Sequence, residues 1–101
     1  MHKIKTDPSG KLIIAGEVTF DTTPSLYKEG CHLINAHNDL VFDLEQVIAS
    51  DNSGAALLTS WTRYAKEENK TINFINLPSQ LLKILELTNL HRLLPIKLNE
   101  H

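Results

Sequence analysis

Apolar positions along the chain fall into two kinds of run: short continuous or alternating ones, and longer ones that recur every three or four residues. Ile4 and then Leu12-Ile13-Ile14-Ala15 are of the first kind, separated by Asp7-Pro8-Ser9-Gly10, and a Pro/Gly turn between two such runs predicts a β-hairpin. Thr22-Thr23-Pro24 is a helix start, because Thr caps and Pro in the first helical position loses no needed N–H. Leu26, Gly30, Leu33 and Ile34 then recur at i, i+4, i+7 and i+8, which is one buried stripe. Gly30 on that stripe is expected where the helix passes close to a sheet. Residues 35–39 read as a turn.

Leu40-Val41-Phe42-Asp43-Leu44 is apolar but for Asp43, which predicts a strand buried on both faces. The next stretch, Ser50 to Leu58 (SDNSGAALL), passes from small polar residues directly into an apolar segment with helical spacing. Leu57, Leu58, Trp61, Tyr64 and Ala65 form its stripe, Thr62, Arg63, Lys66 and Glu67 lie largely outside it, and Lys66 to Lys70 is a charged exit. Thr71 to Ile75 is β-branched and partly alternating, hence a strand. Pro78 opens a third helix carrying Leu81, Leu82, Leu85 and Leu87, and the segment LHRLLPIKL follows.

The order is hairpin, helix, strand, helix, strand, helix. Strand–helix–strand crossovers imply a partly parallel sheet with right-handed connections. The fold class is α/β: a single domain over residues 1–101, with a mixed sheet of four to five strands and helices mainly on one face. The other face must then be lightly apolar or meet a partner.

Composition narrows the function more than the fold. The chain has 101 residues, 42% apolar and 22% charged, as in a soluble one-domain protein. A formal charge of −2 provides no field for a polyanion, so nucleic-acid binding by a basic face is excluded. Cys31 is alone, which rules out an internal disulfide or thiolate metal site, and its place inside a helix with no flanking cation makes it structural. The start MHKIKTDPSGK turns polar too soon for a signal peptide, and no apolar run approaches the roughly 18 residues that span a bilayer. The expected location is cytoplasmic, with no direct membrane insertion, and Asn69-Lys70-Thr71 is a chance match to a glycosylation site.

Self-contained catalysis is not expected, nor any metal or cofactor. His2, His32, His37, His91 and His101 show no metal-ligand spacing, and His37 with Asp39 reads as a solvated turn. No glycine-rich phosphate loop is present. Trp61, spaced helically with Leu57, Leu58 and Ala65, belongs to the core or its rim.

The pattern Val41-Phe42-Asp43-Leu44, Val47, Asp51-Asn52-Ser53-Gly54 and a helix with Leu57-Leu58 resembles the STAS domain, a family named for sulfate transporters and anti-sigma-factor antagonists. Ile72-Asn73-Phe74-Ile75-Asn76-Leu77-Pro78 before a leucine-rich helix also fits, and the resemblance extends from Leu12 to Pro95. The D-x-S-G element is weak alone and more specific in this setting. Ala56-Leu57-Leu58-Thr59-Ser60-Trp61, Asn76-Leu77-Pro78 and the segment from Leu85-Glu86-Leu87 to Leu94-Pro95 look most like the small cytoplasmic STAS subunit of the Mla phospholipid ABC transporter. That branch implies docking on the transporter ATPase. The antagonist branch implies an anti-sigma-factor kinase as partner, with phosphorylation of the second residue after the Asp, here Ser53. Three positions depart from the family: Ala55 where Leu is common, Ser50 where an apolar residue is usual, and Asn52 where Ser or Thr is frequent.

The same short stretch is thus both a helix cap and a docking turn. Ser53, Asp51 or Asn52 can each accept a bond from the first turn of the helix, and Asp51 also suits its positive end. Only one is needed as cap, which leaves two in surplus. The expected partner surface is Asp51, Asn52, Ser53 and Gly54, with the outer helix face of Thr59, Thr62, Arg63 and Lys66. There Gly54 would let a partner backbone approach. A lipid or small-ligand carrier, with Leu90, Leu93, Leu94, Pro95 and Ile96 lining a pocket, is the reading from a different class.

Overall fold

The computed structural model describes residues 4–97. Among these, strands β1 (Ile4–Thr6) and β2 (Leu12–Val18) precede helix α1 (Thr23–Ala36), strand β3 (Asp39–Ser50) and helix α2 (Asn52–Glu67). Strand β4 (Thr71–Ile75), helix α3 (Ser79–Leu87), a 3-10 turn (Leu90–Arg92) and strand β5 (Ile96–Lys97) complete the order. The expected hairpin is β1–β2, paired antiparallel with Ile4 opposite Ile14, and its turn is closed by Asp7 Oδ1, which accepts from the Ser9 and Lys11 N–H groups.

The sheet runs β1-β2-β3-β4-β5, and every pair after the first is parallel. Each crossover therefore steps sideways in the same direction. Right-handed connections then put α1, α2 and α3 on one face. Their cover is Leu12, Ile14 and Val18 from β2, Leu40, Phe42 and Leu44 from β3, and Ile72 and Phe74 from β4, all buried.

The opposite face carries Ile13, Val41, Asp43, Asn73 and Ile75, all half-buried. This corrects the expectation that 40–44 is buried on both faces. Asp43 is tolerated because its Oδ1 accepts from Asn76 Nδ2 at 3.1 Å and from the Glu45 N–H at 3.0 Å.

β3 is also longer than its apolar run. Its register against β2 slips twice, between Ile13 and Ala15 and between Gly16 and Glu17, and each slip inserts an extra residue on the β3 side. Buried positions on β3 are accordingly 40, 42, 44, 47 and 50, a spacing that stretches from two to three. Gly16, at φ 90°, provides the left-handed backbone at the second slip. Ile48 emerges there, 79% exposed.

Elsewhere the boundaries shift modestly. α1 continues through Asn35 and Ala36, so the turn before β3 shrinks to His37 and Asn38. His37 Nδ1 lies 2.8 Å from the Leu33 carbonyl, a helix-end contact in place of any chelate with Asp39. In α3, Leu81 and Leu85 are buried, whereas Leu87 is 78% exposed.

One contact fixes how α1 and α2 lie on the sheet. Trp61 of α2 is fully buried, its ring stacked on Phe42 with centroids 4.5 Å apart and planes within 9°. Phe42 in turn lies 5.8 Å from Phe74. The indole also fills the space at Gly30, where a Cβ would overlap it, and Trp61 Nε1 donates to the Tyr27 carbonyl at 3.3 Å. Gly30 thus admits the neighbouring helix, not the sheet.

On an open helix surface, replacing a glycine by alanine stabilises by about 1 kcal/mol. Gly30→Ala is expected to do the reverse, lowering stability by about 1–3 kcal/mol through overpacking. Urea unfolding of the variant checks the sign. A gain would mean that the indole does not occupy the notch.

Candidate functional site

Parallel strands point their carboxyl ends at the helix starts, so the β2–α1 loop, the β3–α2 junction and the β4–α3 loop all open on the same edge of the sheet. The SDNSG stretch sits in the middle of this edge. Asp51 is the N-cap of α2, in extended backbone, with Oδ1 accepting from the Ser53 N–H at 2.8 Å. Its carbonyl accepts from the Gly54 N–H at 2.9 Å. Oδ2 reaches the neighbouring loop and accepts from the Phe20 N–H at 3.1 Å. Desolvation acts to raise the Asp51 pKa. The bonds from the Phe20, Ser53 and Gly54 N–H groups and the Ser53 hydroxyl outweigh it and hold the carboxyl below its ordinary range.

The capping role therefore belongs to Asp51. Ser53 stands one residue into the first turn, its N–H engaged, its side chain at the end of a groove between α1 and α2. Thr23, Pro24 and Tyr27 form one wall, and Ser53, Ala56, Leu57 and Ser60 the other, around a volume of about 330 Å³. Ser53 is half-buried on this rim.

The remaining predicted residues divide. Asn52 is exposed at the first helical position. Gly54 is buried: a Cβ there would lie 3.3 Å from Leu81 Cδ1 and 3.4 Å from Val18 Cγ1. It lets α2 approach its own α3 and β2, not a partner's backbone, which corrects the role expected from sequence. Thr59 and Thr62 donate their hydroxyls back to the Ala55 and Leu58 carbonyls, at 2.9 and 2.8 Å. With about 100° per residue, Thr59, Thr62 and Lys66 fall on the α3 side of the helix and Ser53 on the α1 side. Arg63 lies between, exposed. The eight residues do not form one patch.

Thr22 also departs from expectation. Standing before α1, it makes no side-chain cap; its hydroxyl accepts from the Thr19 N–H and donates to the Glu17 carbonyl, both at 2.9 Å. Phe20, Thr23, Pro24, Tyr27 and Ser60 went unread as site residues. The available signal was Phe20 itself, a lone aromatic in the polar turn Thr19-Phe20-Asp21-Thr22.

Other candidate chemistry is quiet. Burial pushes the Cys31 thiol up, away from thiolate reactivity. Among the described residues no group of three or more His, Cys, Asp or Glu is placed to hold a metal ion, and no helix is long and apolar enough to cross a membrane. The segment expected to line a lipid pocket is split: Leu94 is buried in the core, Leu93 is 74% exposed, and only Ile96 of the set joins Leu82, Glu86 and His91 around a cleft of about 220 Å³.

Ser50, just before the cap, is buried with its Oγ unpartnered. An unpaired buried hydroxyl is costly, so Ser50→Ala should leave stability unchanged or raise it by about 1 kcal/mol. A loss of that size in denaturant unfolding would reveal a bond to Oγ. For Asp51 the folded pKa is depressed, so its stabilising contribution is present above the unfolded value and lost as pH falls through the folded one. Below about pH 4 wild type should lose thermal stability, with Asp51→Asn less sensitive over the same range. Asp7, lowered by its Ser9 and Lys11 bonds, adds a parallel slope in both proteins.

Comparison with known proteins identifies the architecture. No curated protein matches the chain in sequence. Among solved structures, a candidate anti-sigma factor antagonist from Thermotoga maritima superposes with a TM-score of 0.76 at 16% identity, covering 96% of this chain and 85% of that one. An anti-sigma factor antagonist from Mycobacterium paratuberculosis gives 0.70 at 19% identity, over 92% of this chain and 80% of the other. The Bacillus cell fate determinant SpoIIAA in its phosphorylated form gives 0.69 at 14%, over 97% and 90%. At these identities the likeness establishes the fold alone. The family model described as Mlab, STAS domain, matches residues 1–95, and the chain belongs to that STAS family.

Proposed function

We propose that this chain is a non-catalytic, cytoplasmic STAS subunit that binds the ATPase of an Mla-type phospholipid ABC transporter, stabilising or regulating it. Such a transporter maintains outer-membrane lipid asymmetry, and the chain would reach the inner membrane only through its partner. The carrying observation is the division of labour at the start of α2. Asp51 supplies the cap, so the Ser53 side chain is not needed as acceptor for the helix end and sits half-buried on the rim of the α1–α2 groove. The family match supports the transporter branch. A partner that binds only the folded state stabilises by mass action, and unequal affinity for the ATPase's nucleotide states would make the contact regulatory.

The second reading, an anti-sigma-factor antagonist switched by phosphorylation of Ser53, is supported by the antagonists among the structural neighbours, one of them solved in a phosphorylated form. A phosphate brings a charge of about −1.5 to −2. The helix start would tolerate it, but the adjacent Asp51 carboxylate and a closed interface would not. Phosphorylation would therefore release a docked partner.

Affinity purification of the tagged chain from its native host, with phosphosite mapping, separates the two. The transporter reading predicts an ABC ATPase and permease, with Ser53 unmodified. An anti-sigma-factor kinase with phosphate on Ser53 would establish the second reading instead. Ser53→Arg is expected to abolish recovery of the ATPase with an unchanged circular dichroism spectrum. Gly54 variants cannot serve here, since that position is packed inside the fold.

A further inference from the structure

The loop between β2 and α1 is pinned along its length, yet it leaves its one large side chain in water. The Thr19 N–H donates to Thr22 Oγ1 at 2.9 Å, the Thr19 carbonyl accepts from the Thr22 and Thr23 N–H groups at 3.0 and 2.9 Å, and the Phe20 N–H donates to Asp51 Oδ2. Phe20 is nonetheless 76% exposed. A scattered exposed aromatic needs no explanation. One fixed at the tip of an immobilised loop is different, because little backbone freedom remains to be lost when a partner covers it. Its position is also tied to the candidate site. Phe20 and Ser53 hang from the two oxygens of a single carboxylate.

Charge indicates what would cover it. Residues 12–27 and 29–62 contain no lysine or arginine, whereas Glu17, Asp21 and Asp51 lie at the carboxyl end of β2 or on the two adjoining junctions. Lys28 follows Tyr27 on α1 and lies on the neighbouring cleft with Cys31 and Asn35, Arg63 and Lys66 lie in the distal half of α2, and Lys70 follows its end. The surface around Phe20 and the α2 start is thus an apolar tip on an acidic ground.

We propose that Phe20 is an anchoring side chain of the docking surface, entering an apolar pocket rimmed by lysine or arginine on the partner ATPase, and that Asp51 is a positioning residue for it. This rests on the transporter reading. Its regulatory consequence follows from the shared carboxylate: anything that draws Asp51 away from Phe20, such as a modification of Ser53, loosens the anchor along with the turn.

Titration of the purified ATPase subunit from the same organism with wild-type chain and variants tests both levels. Phe20→Ala should weaken binding by about 30-fold or more, the scale of an interface hot spot, with an unchanged unfolding midpoint, and Phe20→Leu should recover most of the loss. Wild-type affinity should fall as ionic strength rises. Asp51→Asn should weaken binding by a smaller factor when Phe20 is already alanine, since coupled residues are not additive. Wild-type binding with Ser53→Arg inactive and Phe20→Ala unaffected would overturn the anchor and leave the docking reading standing. Salt-independent binding would overturn the basic rim, and strict additivity the positioning role of Asp51. No binding by wild type would overturn the choice of partner and the anchor with it.

Discussion

The fold depends on one large aromatic having somewhere to go. Trp61 is the bulkiest buried side chain, and its ring is held between Phe42 of the sheet and the gap that Gly30 leaves in α1. Without that gap the two helices could not approach while both lie on the sheet. A glycine in a helix interior costs roughly 0.5–1 kcal/mol, far less than burying an aromatic of this size contributes. The consequence reaches the site, because Ser53 lies about two helical turns before Trp61. Fixing Trp61 against α1 fixes the groove in which Ser53 stands.

The sheet topology carries the second constraint. Because the strands follow one another in order and the crossovers share a hand, all three helix starts collect on one edge. That edge needs caps, and Asp51 serves two segments with one side chain. Capping and docking use similar residue types, which is why they compete in the sequence. In the structure Asp51 makes the cap, Ser53 stands half-buried on the groove rim, and Gly54 packs inward.

Legibility followed periodicity. The stripe Leu26, Gly30, Leu33, Ile34 and the stripe Leu57, Leu58, Trp61, Tyr64, Ala65 were readable because helical spacing is regular; all are buried but Leu33 and Tyr64, which are half-buried at the edge of the core. The first half of β3 was readable too. Its second half was not, because two register slips against β2 break the two-residue alternation after Leu44. β5 is two residues long and carries no period at all. At the site, the sequence located the turn but not which polar residue caps it, since Asp51, Asn52 and Ser53 share the chemistry and differ only in backbone geometry. Nor could it bring Thr23, Pro24 and Tyr27 to face Ser53, a contact made across some thirty residues by the Gly30–Trp61 packing.

The proposed docking runs through the start of α2 and not through the uncovered face of the sheet. A photo-cross-linking amino acid placed at Ala56, exposed on the groove wall, and in a separate variant at Val41, on the open face, distinguishes the two surfaces directly. With the proposed ATPase partner present, a cross-link is expected from position 56 and none from position 41. Cross-linking from position 41 alone would place the partner on the open sheet and contradict this docking.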